Sequence, residues 1–343
     1  MELKRQVLTS EILHPAQDFQ PQRGQVEVRW DPLTGHSARL VSSAGQLLPP
    51  SDFDLAALAA ETQPSCFFCA PRVEEVTPRL LPAIHAEGRI RRNQALLFPN
   101  ILTYSQYSSV SIYSPNLHFI PLGKMTGRLV ADNLAVQVEF IQAVMRFDEN
   151  ATWASINANH MLPAGSSLFH PHVQSSVDPV PSTMQHMLAD LPSDRFHDYL
   201  ETEKRLGERY LGSTGGVEWL ASFAPQGFNE LRALVPGIAS PAQLEPERIE
   251  ELGEGIARML NLYAELGYQS FNMALFGAPP AQHGYVLNLR LVCRSNLKPL
   301  YRSDVTYFER LHWQAMVDRS PEELAERARV HLSQRSGPTG TPT

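Results

Sequence analysis

The sequence predicts an α+β protein made of two related halves, each with an antiparallel sheet and a packed helix. Two observations lead to this class. Pairs of short strand-like segments are followed by a long amphipathic segment and then by a second strand pair, and this order occurs twice. The 343 residues, 43% of them hydrophobic, suffice for two such halves with a sizeable core.

The first half begins with a predicted hairpin over residues 26–41, because residues 31–35 (Asp-Pro-Leu-Thr-Gly) have the composition of a turn. Residues 51–78 are rich in loop-forming residues. The helix is expected over 129–147, where Leu134, Val138, Ile141 and Met145 form one apolar stripe. The strands of this half are expected at 96–99, 109–113, 153–157 and the segment from His170.

The second half repeats this order as a weak copy. Its helix is expected over 249–266, ended by Gly267, and a closing helix begins after Ser320, with Pro321 in its first turn. Where the first half has His-Pro-His, the copy has Leu287-Asn288-Leu289. The strands of this half are expected at 218–223, 230–235, 270–276 and 285–292.

These elements divide the chain into an N-terminal half, 1–185, and a C-terminal half, 186–335. Residues 336–343 contain only Ser, Gly, Pro and Thr and are expected to be a disordered tail.

Charge and composition exclude several classes of partner. The formal charge is -7, and no run of Lys and Arg forms a basic stripe, so nucleic acid is not expected. The sequence begins without an apolar leader and has no run of 18 apolar residues. We therefore expect a cytoplasmic location and no contact with a membrane. Three cysteines make no disulfide framework, which fits a reducing compartment.

The most informative segment is residues 170–174, His-Pro-His-Val-Gln. Pro171 argues against a helix, and in an extended chain His170, His172 and Gln174 share one face. A histidine whose near nitrogen donates to a backbone carbonyl keeps its far nitrogen unprotonated and able to attack phosphorus. His172 is expected to act in this way, with Gln174 donating to a phosphoryl oxygen.

A second motif is Cys66-Phe67-Phe68-Cys69. Two thiols at this spacing fit half of a zinc site, a redox pair or two buried cysteines. With His170 they would make three zinc ligands, and His118 and His85 are the candidates for the fourth.

Nucleotide motifs of other folds are missing. The chain has no GxxxxGK[ST] phosphate loop and no GxGxxG after a strand, which excludes a P-loop or Rossmann reading. Residues 165–167 (Gly-Ser-Ser) could present N–H groups and hydroxyls to a phosphate, although such loops are commonly plain turns.

Taken in order, these residues resemble the galactose-1-phosphate uridylyltransferase family of the histidine-triad superfamily over about residues 29–328. The landmarks are residues 31–35, the CxxC followed by Thr77-Pro78, Phe98-Pro99-Asn100, residues 114–118 (Ser-Pro-Asn-Leu-His), Asn159, residues 165–167, the His-Pro-His-Val-Gln, residues 276–279 (Phe-Gly-Ala-Pro) and the closing helix at 321–327.

The resemblance implies two fused histidine-triad-like halves and a nucleotidyltransferase of the UDP-glucose–hexose-1-phosphate uridylyltransferase type. Such an enzyme moves a nucleoside monophosphate from a nucleotide sugar to a sugar 1-phosphate through a covalent nucleotidyl-histidine, here His172, with Gln174 as its phosphoryl partner. It also implies nucleotide or phosphate contacts at Asn100, Asn159 and Ser167, and hexose contacts at Tyr307 and Gln314.

The resemblance further implies one structural zinc per chain. Its ligands would be Cys66, Cys69, His118 and His170, with the spacing to His118 one residue longer than usual. The family's second metal site falls on Phe276, Leu287 and Leu289, which cannot ligate a metal, so that site is expected to be absent. The family commonly dimerises, which makes a homodimer one expectation.

Two departures affect the substrate. The family usually has arginines that meet the diphosphate where this chain has residues 42–48 (Ser-Ser-Ala-Gly-Gln-Leu-Leu), and a Lys-Phe-x-Val-Gly pattern where it has residues 302–306 (Arg-Ser-Asp-Val-Thr). The base could therefore be uracil, adenine or guanine. Two alternatives to the transferase stay open: a phosphorylase or hydrolase of the same superfamily acting on nucleotide sugars or dinucleotides, and a degenerate nucleotide-binding protein.

Overall fold

The structure is a computed structural model that describes residues 1–41, 47–299 and 302–333. The strands are β1 (Arg5–His14), β2 (Gln20–Trp30), β3 (Ser37–Leu40), β4 (Ile90–Arg92), β5 (Ala95–Pro99), β6 (Tyr107–Ile112), β7 (Trp153–His160), β8 (His172–Asp178), β9 (Tyr210–Thr214), β10 (Val217–Ala221), β11 (Phe228–Val235), β12 (Phe271–Phe276), β13 (Leu287–Cys293) and β14 (Ala315–Val317). The helices are α1 (Leu55–Thr62), α2 (Arg72–Val76), α3 (Gly127–Phe147), α4 (Thr183–Ala189), α5 (Arg195–Leu206), α6 (Pro246–Glu265), α7 (Tyr307–Leu311) and α8 (Pro321–Ser333).

The main sheet shows the predicted duplication directly. In the described residues its ten strands are antiparallel and follow the order β4-β5-β6-β8-β7-β12-β13-β11-β10-β9. Each half contributes five strands in the same relative order, reversed about the β7–β12 contact. The α+β class with two related halves is therefore confirmed, and the halves join edge to edge into one sheet.

Both long helices pack on one face of this sheet and share its hydrophobic core. α3 begins after Thr126, whose hydroxyl accepts a hydrogen bond from Leu129 N, and its predicted stripe is buried or partly buried. α6 packs against α3 so closely at Gly253 that a Cβ there would lie 2.8 Å from Ala131 N. The opposite face of the sheet carries the candidate site in the first half and packs against α4 and α5 in the second.

A smaller sheet, in the order β1-β2-β3-β14, contains the predicted hairpin. The chain turns at residues 31–35, where Gly35 N donates to Asp31 O and Gly35 has φ +74°, a backbone conformation that favours glycine. Nearly all of β1 is exposed on both faces.

Two sequence-based expectations need correction. Residues 51–78, predicted as loop, contain α1 and α2. Leu287 and Leu289 face the helices in the core, so the residues of β13 on the same face as His172 are Asn288 and Arg290, and the equation of His-Pro-His with 287–289 is wrong by one position.

The remaining expectations concern boundaries and ends. The expected division after residue 185 falls inside α4, and the assignment of the two halves stays a prediction. The tail at 336–343 lies outside the described residues, as do residues 42–46 of the departure at 42–48. No helix in the described ranges is long and apolar enough to cross a membrane.

Candidate active site and metal centre

His172 opens β8 at the centre of the sheet. Its Nδ1 lies 2.9 Å from the backbone carbonyl of His170, and because a carbonyl can only accept, Nδ1 carries the proton and Nε2 has a free lone pair. The side chain is 8% exposed, and burial lowers its pKa, which keeps the ring neutral near pH 7. These are the properties of a neutral imidazole nucleophile.

The backbone between His172 and Gln174 is held from the helix face by Gln137 of α3. Gln137 Nε2 donates to Val173 O at 3.1 Å and to Ser111 Oγ at 2.7 Å, and Gln137 Oε1 accepts from Ser109 Oγ at 2.8 Å. The Gln137 side chain is fully buried. One signal in the sequence points to this role, a glutamine inside a buried helix face, and it belongs to none of the motifs.

A cavity of about 280 Å³ lies in front of His172. It brings together four predicted site residues: His172, Gln174, Asn100 and Ser167. The rest of its wall is mostly apolar, from Phe67, Phe68, Val76, Thr77, Pro78, Phe98, Pro99, Ile101, Leu102, Tyr104, Val110 and Leu168.

Two amides can donate into this cavity. Asn100 Oδ1 accepts from Leu102 N at 3.0 Å, which leaves Asn100 Nδ2 buried and without a hydrogen-bond partner. Gln174 lies on the same face of β8 as His172, opposite Asn157 of β7. None of the described residues that line the cavity is a lysine or an arginine.

Three predicted contacts do not line this cavity. Asn159 lies at the end of β7, on the same face two residues beyond Asn157, where its Oδ1 accepts from Asn272. Tyr307 is 60% exposed on α7. Gln314 Oε1 accepts from Arg39 Nε and Gln314 Nε2 donates to Ser37 Oγ, both at 2.6 Å.

A cluster of two cysteines and two histidines lies directly beside His172. The ligand atoms of Cys66, Cys69, His118 and His170 all lie within 4.8 Å of one another. The Sγ-to-Nδ1 distances are 3.6 Å for Cys66–His170, 3.5 Å for Cys69–His170 and 3.3 Å for Cys69–His118. Sulfur and nitrogen ligands of one tetrahedral zinc lie about 3.5 Å apart, so this cluster can bind one metal ion.

The hydrogen bonds of the two imidazoles direct their lone pairs to the same point. His170 Nε2 donates to the carbonyl of Ser114 at 3.0 Å, and His118 Nε2 lies 2.9 Å from Thr62 Oγ1, which itself donates to Leu58 O. Both Nδ1 atoms are therefore unprotonated toward the thiols, as metal ligands require.

Burial and the neighbouring Cys66 raise the pKa of Cys69 to about 12, so a thiolate there needs a cation beside it. The donor set and its protonation fit a tetrahedral site of Cys2His2 type. His85, the other candidate for the fourth ligand, is not in the cluster, and its Nε2 lies 3.8 Å from Glu139.

No family model matches the chain. A protein of Archaeoglobus fulgidus, described as uncharacterized, is 31% identical in an alignment of 339 positions that covers 96% of this chain and 98% of that protein.

Solved structures show the same fold at low identity. An ADP-glucose phosphorylase of Arabidopsis thaliana with bound ADP-glucose superimposes with a TM-score of 0.67 at 20% identity, over 89% of this chain and 98% of that one. A GalT-like protein of the same plant gives 0.65 at 18%, over 88% and 98%. A uridylyltransferase gives 0.57 at 18%, over 89% and 98%.

The chain thus has the fold of the ADP-glucose phosphorylase, the GalT-like protein and the uridylyltransferase. It belongs to the same family as the Archaeoglobus fulgidus protein.

Proposed function

We propose that this chain is a nucleotidyltransferase that moves a nucleoside monophosphate from a nucleotide sugar to a sugar 1-phosphate through a covalent nucleotidyl-His172. One observation carries the proposal: His172 is buried and neutral, with Nδ1–H bound to His170 O, in the wall of a cavity of about 280 Å³. The apolar wall suits a base, and the amides of Gln174 and Asn100 suit phosphate oxygens.

The reaction balances in two displacements. His172 Nε2 attacks the α-phosphorus, the bond from phosphorus to the bridging oxygen breaks, and sugar 1-phosphate leaves with that oxygen. A phosphate oxygen of the acceptor then attacks the same phosphorus, and the N–P bond breaks to restore the imidazole. The ring gains positive charge while it carries phosphorus, and the hydrogen bond from Nδ1 to His170 O is strengthened in that state.

We propose that the four clustered ligands hold one structural zinc. Four protein ligands leave no open position, so its role would be to fix the segment that carries the nucleophile. His170 would connect the two functions, because its side chain is a ligand and its carbonyl orients His172.

A phosphorylase is the second candidate, in which inorganic phosphate resolves the adduct. The fold matches the ADP-glucose phosphorylase at a TM-score of 0.67, against 0.57 for the uridylyltransferase. In addition, both ends of the Gln314 amide, an expected hexose contact, are occupied by Arg39 and Ser37. The products discriminate: nucleoside diphosphate indicates phosphate as acceptor, nucleoside monophosphate indicates water, and a new nucleotide sugar indicates a transferase.

The test is to incubate the protein with UDP-glucose, ADP-glucose or a GDP-sugar labelled at the α-phosphate. We expect an acid-labile protein adduct that His172→Asn abolishes and that the control His85→Asn, outside the cavity, retains. Labelling that survives His172→Asn overturns the role of His172. No labelling with any donor, together with a thermal shift on adding nucleotide, supports a degenerate nucleotide-binding protein instead.

A further inference from the structure

A hydrogen bond between two asparagines joins the halves of the protein at the centre of the sheet. Asn159 of β7 and Asn272 of β12 lie directly opposite each other in the antiparallel pair. Asn272 Nδ2 donates to Asn159 Oδ1 at 2.6 Å and to the backbone carbonyl of Ala164 at 2.9 Å.

The orientation of the Asn272 amide is determined from both ends. Its Oδ1 accepts from Nη1 of Arg294, and a guanidinium can only donate. Its Nδ2 faces the Ala164 carbonyl, which can only accept. Arg294 is itself held by Asp304, with Nε–Oδ2 2.6 Å and Nη2–Oδ1 2.7 Å, and the Asp304 side chain is only 3% exposed.

The orientation of the Asn272 amide determines that of the Asn159 amide. Because Asn272 presents N–H to it, Asn159 must present Oδ1 in return, and its own Nδ2 is turned the other way. That Nδ2 lies 4.0 Å from the position of a Cβ on Gly165, at the loop that leads to Ser167 and the nucleophile. In register, Asn159 lies two residues beyond Asn157, which pairs with Gln174, so it belongs to the face and the end of the sheet where His172 lies.

We propose that Asn272, anchored by Arg294, is a positioning residue that fixes the Asn159 amide as a hydrogen-bond donor to a phosphate oxygen of the nucleotide during transfer to His172. This rests on the proposed function. The second half, whose strands β9 to β13 contain no histidine, would thus take part in the chemistry through Asn159.

Asn272→Asp tests the proposal, because a carboxylate retains the pairing with Arg294 and cannot donate. Asn159 would then turn its Nδ2 toward Asp and its oxygen toward the phosphate. We expect the single-turnover rate of His172 labelling to fall about 100-fold, as when an oxyanion donor is lost. The matched control is Asn288→Asp, a buried asparagine on the same face whose Nδ2 donates to Val286 O, which should keep the wild-type rate.

The decisive readout is the same substitution in an Asn159→Ala background. A positioning role predicts that Asn272→Asp costs nothing further there, whereas a merely structural role predicts the same loss in both backgrounds and overturns the inference. Asn272→Ala, expected to give a smaller loss that also vanishes in this background, serves if the Asp variant does not fold. Absence of labelling in the wild type overturns the proposed function and this inference with it. Wild-type labelling with equal rates for Asn272→Asp and Asn288→Asp overturns the inference alone.

Discussion

The ring of Phe68 lies against both His170, of the Cys2His2 cluster, and His172. Its ring lies edge-on to His170 at 6.0 Å, to His172 at 5.5 Å and to Phe98 at 5.2 Å, and it is 8% exposed. The adjacent Phe67 is 47% exposed, with the guanidinium of Arg72 4.8 Å from its ring. Phe68→Ala and Phe67→Ala therefore form a matched pair, in which the same atoms are removed from a buried and from a half-exposed position.

The expected magnitudes follow from this burial. Truncation of a buried phenylalanine to alanine costs about 3–5 kcal/mol, because a cavity is added to the lost transfer free energy. Phe67 gains about half of the 1.5–3 kcal/mol of a fully buried side chain, and its contact with Arg72 adds about 0.5 kcal/mol. We expect Phe68→Ala to lower the free energy of unfolding by about 1–4 kcal/mol more than Phe67→Ala does.

Urea unfolding measures this difference through the midpoints, provided that the slopes agree. The same two variants are then compared for zinc content and for the rate of His172 labelling at saturating donor. We expect Phe68→Ala to lower both, and Phe67→Ala, which also lines the cavity, to raise the donor concentration needed without loss of zinc. Equal destabilisation by the two variants, or an unchanged labelling rate in Phe68→Ala, would refute this coupling.

Three further predictions follow. Cys66→Ser should lower bound zinc from about one equivalent toward zero in elemental analysis, while Cys293→Ser, also buried, should leave it unchanged; a full equivalent in Cys66→Ser contradicts the site. Burial lowers the pKa of His160 to about 3, so as the pH falls below about 6.5 the unfolded chain takes up a proton before the folded protein does. The free energy of unfolding of the wild type should therefore fall by about 1.4 kcal/mol per pH unit relative to that of His160→Phe. Parallel curves of stability against pH for the two proteins would contradict this. Gln137→Leu leaves buried hydroxyls without their hydrogen-bond partner, so it should lower the free energy of unfolding by about 2–4 kcal/mol and slow His172 labelling. The control Gln142→Leu, on the same helix and with a hydrogen bond to Ala242 O, should lower it by about 1 kcal/mol. Similar losses in the two variants would contradict the role of Gln137.

The elements that the sequence predicted well are those whose pattern is set by one buried face. The stripe of α3 and the alternation of β7 are of this kind, and both appear within a few residues of the expected bounds. β1 was missed because it is exposed on both faces and so has no alternation to detect. The choice between His118 and His85 also needed the fold, since only the three-dimensional arrangement brings His118 Nδ1 to Cys69.

The residues that orient the site were missed for a different reason. Gln137 and Asn272 touch the nucleophile only through other groups, so no motif contains them. Their signal is a polar side chain at a position whose neighbours are buried, which acquires meaning only when its partners are known. The error at 287–289 has its own cause: the two faces of a strand alternate, so a shift of one residue exchanges them.

The sheet face that holds the nucleophile is open in the first half and closed in the second. Asp31 lies in the turn between β2 and β3. Its Oδ2 accepts from Arg232 at 2.6 Å and from Arg290 at 3.0 Å, and all three side chains are buried. Glu230 lies 3.6 Å and 3.4 Å from the same two guanidinium groups. The charges of these two arginines are thus matched by two carboxylates.

The described wall of the cavity, for its part, holds no cation. Of the described residues, the groups near His172 that can meet phosphate charge are neutral: the amides of Gln174, Asn100 and Asn159 and the hydroxyl of Ser167. A lysine attracts a phosphate from any direction, but an amide that is turned around presents oxygen and repels it. A site that relies on amides therefore depends on what fixes each of them, which gives a physical reason for the partly buried chain of hydrogen bonds from Asp304 through Arg294 and Asn272 to Asn159.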